Sequence, residues 1–116
     1  MNQLGSEPGT TGNLFDLPSP LPQGEVFQPL VPDRGVLIER IVSTGQVTPE
    51  GEWYDQERDE WVVLVQGQAT LRYEDGRRLE LGPGDYVLIR AHERHRVTKT
   101  STDPPCIWLA VHADLV

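Results

Sequence analysis

From Gly35 onward the chain is a series of short runs rich in β-branched residues, each ended by a Gly, Pro or Asp signal after about eight to twelve residues. That punctuation leaves no room for long helices and matches the strand spacing of an all-β sandwich or barrel. Strands are expected at 36–43, 60–66, 69–73, 77–81, 86–90, 96–100 and 106–112, and none of these runs places its apolar residues at helical period. Asp75-Gly76, between LRY and RRLEL, reads as a hairpin, because a tight type I′ turn needs positive φ and these residues tolerate it. Residues 69–74 and 77–81 should therefore pair antiparallel. Gly82-Pro83-Gly84-Asp85 and Asp103-Pro104-Pro105 mark further corners.

The first 34 residues have a different character. They hold six of the ten prolines and four of the eleven glycines, which excludes a long helix or a central strand. We read 1–34 as an irregular Pro-rich extension and 35–116 as a single domain, the number that 116 residues can support. Residues 1–12 are expected to be mobile. Leu14, Phe15, Leu17, Val26, Phe27, Leu30 and Val31 are too apolar for a free tail, so 13–34 should dock on the domain or on a partner subunit, with Asn13 capping a short turn.

Eighteen Asp and Glu against ten Lys and Arg give a net charge of −8, which repels phosphate backbones and anionic lipid alike. Nucleic acid and membrane surfaces are not expected partners. The single cysteine, Cys106, cannot form an internal disulfide, no uncharged stretch approaches the length of a membrane span, and the N-terminus lacks the pattern of a secretory signal. A cytoplasmic location follows as the expectation.

Chemistry can reside in few places. His92 and His95 stand three apart at the end of the run DYVLIR, where rigid backbone suits a metal ligand, although a solvated charged loop accounts for them equally well. The segment WYDQERDEW supplies Asp55, Gln56, Glu57, Asp59 and Glu60, oxygen donors that are more often simply a solvated face. Glu60 differs from its neighbours, because strand parity places it with Val62 and Leu64. If that face is interior, its carboxylate needs a cation or hydrogen-bond donors, which His95, His112 or a metal would supply. His112 shares its face with Trp108 and Ala110 at the end of the last strand. Arg90 and Arg96 flank the histidine pair and either bind an anion or balance the acids. No P-loop, G-x-S-x-G or paired C-x-x-C is present.

The stretch from about residue 45 to 112 resembles the cupin superfamily of small jelly-roll barrels. Glu60 followed by six residues and Gly67 is similar to the close of the first cupin motif. Gly84, the run DYVLI and His95 are similar to the second, with His95 at the position of its metal-ligand histidine. The resemblance implies an all-β cupin-like jelly-roll barrel with a metal-capable pocket and a homodimeric assembly. The H-x-H of motif one is missing: a four-residue spacer puts Trp53 and Asp55 there, a three-residue spacer Tyr54 and Gln56. In motif two, Arg90 replaces the usual Pro and His92 a usual Gly.

On this resemblance a divalent metal (Fe, Mn, Zn or Ni) would be held by His95, His92, Glu60 and Asp55 or Gln56. The ligand pocket would take Trp53, Tyr54, Trp61, Arg90, Trp108 and His112. The implied function is a cupin acting on a small molecule, as a metal-dependent oxygenase, isomerase or lyase on a small organic substrate. The alternatives are a non-catalytic binding module and a dimeric docking module.

Overall fold

The computed structural model describes residues 11–116. Eight strands form: β1 (Val26–Pro29), β2 (Leu37–Ser43), β3 (Asp59–Gln66), β4 (Ala69–Tyr73), β5 (Arg78–Leu81), β6 (Tyr86–Ile89), β7 (His95–Thr100) and β8 (Cys106–Ala113). They make a five-stranded sheet in the order β1-β2-β8-β3-β6 and a three-stranded sheet in the order β5-β4-β7. Every pairing is antiparallel. This is an all-β, jelly-roll-like arrangement in which the apolar faces of two sheets meet.

The alternation expected of β3 is realised. Glu60, Val62 and Leu64 point inward together, and so do Trp108, Ala110 and His112 of the adjacent β8. With Ala69, Leu71, Leu81, Ile89 and Cys106, these apolar side chains form one continuous core. Gly67 turns the chain from β3 into β4 at φ +99°, and a Cβ there would sit 2.9 Å from the Cys106 backbone. Both constraints select glycine.

Two local expectations are modified. Residues 69–73 and 78–81 pair as anticipated, but among the described residues His92 is the only non-glycine with positive φ, so Asp75 does not adopt a type I′ turn. Instead, Tyr73 and Arg77 close a three-residue loop with Gly76 in the left-handed region, and Asp75 accepts a hydrogen bond from the Arg77 amide. The Pro-rich segment also contributes β1, an edge strand, where proline is tolerated. The mobility expected of residues 1–12 falls outside the described residues except for the last two.

Residues 13–34 dock on the domain of their own chain. Asn13 accepts a hydrogen bond from the Phe15 amide and closes the expected turn. The guanidinium of Arg40, buried on the outer face of β2, donates to the carbonyls of Leu14 and Asp16 and to the Gln28 side chain of β1. This fastening sets β1 beside β2 and carries Glu25 and Phe27 to the inner face.

Candidate functional site

One end of the barrel encloses a cavity of about 80 Å³, enough for a few water molecules or one small functional group. Its polar lining comes from Glu25, Glu39 of β2, Tyr54, Gln56, Glu60 of β3, His95 of β7 and His112 of β8. Its walls are apolar, among them Phe27, Val62, Leu71 and Trp108. A few convergent polar groups in an apolar concavity are the usual makeup of a small-molecule site.

Glu60 lies at the centre of the site's electrostatics. Only 7% of it is exposed, and burial pushes its carboxyl well up from the ordinary glutamate range, against the pull of His112 and then His95. His112 stands directly opposite it in the β3–β8 register, and Gln56 hydrogen-bonds its side chain. Glu60 therefore keeps its proton to higher pH than a solvated glutamate does.

His95 is held from three sides. Its ring stacks on Tyr54 at 5.4 Å, Tyr73 lies against it at 6.3 Å, and Nδ1 is 2.9 Å from the Glu93 carbonyl oxygen. A carbonyl only accepts, so Nδ1 carries the hydrogen and Nε2, on the far side of the ring, keeps its lone pair in the neutral form. His112 is constrained differently. Its Nε2 donates to Glu39 at 3.0 Å in a buried pair, and that hydrogen bond raises its pKa above the usual histidine value. A third relay starts at the Trp108 indole, which donates to Ser43, whose hydroxyl donates in turn to Glu25. Burial raises the Glu25 carboxyl as well.

The residues singled out from sequence divide between the cavity and the surface. Tyr54, Gln56, Glu60, His95, Trp108 and His112 line the cavity together. The three-residue spacer of motif one is thus the one whose residues face inward, since Tyr54 also exchanges backbone hydrogen bonds with His95. His92 and Asp55 pair with each other at 2.8 Å on the exposed surface. Trp53 lies under the Arg96 guanidinium, Trp61 packs against Tyr86 on the outer face, and Arg90 is exposed. Glu39 and Glu25 were missed. For Glu39 the signal was available, because in LIERIVS it shares parity with Leu37, Ile41 and Ser43. Glu25 had no such periodic context.

The residue pattern and the fold agree with known proteins. The cupin domain family matches residues 41–112. This chain belongs to that family. It is similar to the crystal structure of a candidate mannose-6-phosphate isomerase from Ralstonia eutropha JMP134, with 46% identity over 91% of this chain and 99% of that one and a TM-score of 0.83. It is 32% identical over 91 residues to L-ectoine synthase of Mycolicibacterium vanbaalenii, which covers 72% of this chain and 70% of the synthase. A cupin superfamily protein from Desulfitobacterium hafniense DCB-2 shares the fold at 17% identity, with a TM-score of 0.65 over 88% of this chain and 98% of that one.

Cupins often hold a divalent metal, and the donors among the described residues do not fit one. Zinc and non-haem iron sites take three or more strong protein ligands. Among the described residues no three His, Cys, Asp or Glu side chains come together closely enough to share an ion. Where the family's motif-one histidines would face the cavity, this cupin has a tyrosine ring stacked on His95 and an amide bonded to Glu60.

Proposed function

We propose that this cupin is an enzyme that moves protons on a small organic substrate in the barrel pocket, a reaction of the isomerase or lyase type. The observation that carries the reading is the pairing of opposite proton roles in one cavity. Glu60 is a buried carboxyl that holds its proton to higher pH than a solvated glutamate, and the tautomer of His95 leaves the lone pair of the neutral ring at Nε2. One group can give a proton where the other takes one, the division of labour that general acid–base catalysis needs. The His112 ring, held beside Glu60 by its hydrogen bond to Glu39, pulls the Glu60 carboxyl toward its ionised form and so helps to stabilise that form after the proton has left.

The expectation of a resident metal is not carried into this reading, because the ligand set does not assemble. The candidate isomerase from Ralstonia supports the reaction class at 46% identity, since isomerisation of a sugar is a pair of proton transfers. It does not support the same substrate, because no Lys or Arg lines this cavity to receive a phosphate.

The test is exchange of carbon-bound hydrogen with D2O across a panel of small aldehydes, ketones and their hydroxy and amino derivatives, followed by proton NMR. Glu60→Gln should slow any enzyme-dependent exchange by about 10²-fold or more, in line with loss of a general acid. Equal exchange rates in the wild type and the variant would overturn the assignment.

A further inference from the structure

The unmet demand in the cavity is one-sided. Glu25, Glu39 and Glu60 reach it from three different segments, and of the two lining histidines, His95 and His112, the latter is tied to Glu39. Gln56 Oε1 is buried and has no hydrogen-bond donor, although it is an amide oxygen on the cavity wall. A buried acceptor left unpaired is costly, and structures normally satisfy it. Phe27, Tyr54 and Trp108 present aromatic surface to the same space. Carboxylates, an orphan acceptor and aromatic faces all favour a ligand that donates hydrogen bonds and carries positive charge. An anion finds no Lys or Arg among the lining residues, and Glu25, Glu39 and Glu60 offer it no positive partner.

We propose that the pocket takes a small organic cation, a primary or secondary ammonium, whose N–H donors are received by Glu25, Glu60 and the Gln56 amide oxygen. The proposal rests on the reading of this cavity as the substrate pocket and adds the substrate's chemical class. An alkylammonium group has up to three donors and no acceptor, the complement of what the cavity leaves unsatisfied. Binding would also relieve the burial cost that raises the Glu25 carboxyl, while Glu60 accepts through its carbonyl oxygen and keeps its proton. Glu39, already engaged by His112, contributes to the negative field rather than to direct contact.

Three probes of one carbon length decide it: n-butylammonium, butan-1-ol and butyrate, titrated into the full chain at pH 7 while the Trp108 indole and His112 ring resonances are followed by NMR. The expected order is butylammonium tightest, butanol weaker by about tenfold or more, and butyrate weakest, the discrimination typical of a charge-assisted hydrogen bond. Glu25→Gln should weaken butylammonium by about tenfold and leave butanol unchanged. The probe order is read on the wild type and stands even if that variant folds poorly. Butyrate or butanol binding as tightly as butylammonium would overturn the proposal, and so would the absence of shifts with all three up to saturation of solubility. The proton-transfer reading fails on a different result, namely exchange that does not depend on Glu60.

Discussion

The buried His112–Glu39 hydrogen bond makes stability depend on pH in a definite direction. Folding raises the His112 pKa, so the folded chain binds this proton more tightly than the unfolded chain. The pair's contribution is therefore complete below about pH 6.5 and is lost as pH rises through the raised folded value. Replacing His112 with Asn leaves the Glu39 carboxylate buried without its charged donor, which should cost about 2–4 kcal/mol at pH 6. The difference from wild type should shrink in alkaline solution. Urea unfolding of both proteins at pH 6 and pH 9 measures this, and an equal difference at both values would contradict the assignment. Six of the cavity's residues were legible from the chain: strand parity pointed to Glu60, Trp108 and His112, and the cupin spacing to Glu60, His95 and, as one of two alternatives, Tyr54 with Gln56. His92 was less legible: its three-residue offset from His95 looked like a shared site, but its left-handed backbone turns the ring outward to Asp55.

Among the elements, the strands from β2 to β8 could be placed within a residue or so, because all but β5 have β-branched residues and all are bounded by turn signals. β1 could not. VFQP is four residues long and sits in Pro-rich sequence, and it becomes a strand by pairing with β2, whose Arg40 also fastens the segment ahead of it. Arg40 is 1% exposed and answers two backbone carbonyls and a glutamine rather than a carboxylate at hydrogen-bond distance. Removing it leaves those acceptors unpaired unless the segment lifts into water, each unpaired group costing about 1–3 kcal/mol if it stays. Arg40→Ala should therefore release residues 13–25 to limited proteolysis while the barrel from β2 onward remains protected. It should also weaken any ligand of the cavity, since Glu25 and Phe27 are carried by the released segment. A cleavage pattern identical to wild type would show that the segment is held by other contacts.

At the scale of the molecule, two sheets closing over one core leave a mixed-polarity cavity at the end where β2, β3, β7 and β8 bring Glu39, Glu60, His95 and His112 together. These residues are distant in sequence, so the site exists only when the barrel is closed. A net charge of −8 and a cavity without Lys or Arg point the same way, toward exclusion of anions. The barrel architecture was readable from periodicity, yet the contents of the cavity were readable only in part, because Glu25 and the Glu39–His112 pairing depend on contacts between segments. The account turns on Glu60 retaining its proton inside the closed barrel. The most direct measurement is a carboxyl ¹³C NMR titration of the intact protein, with the Glu60 resonance assigned by its loss in Glu60→Gln. The account predicts a midpoint clearly above 4.5, the ordinary glutamate value, and a midpoint at or below 4.5 would contradict it.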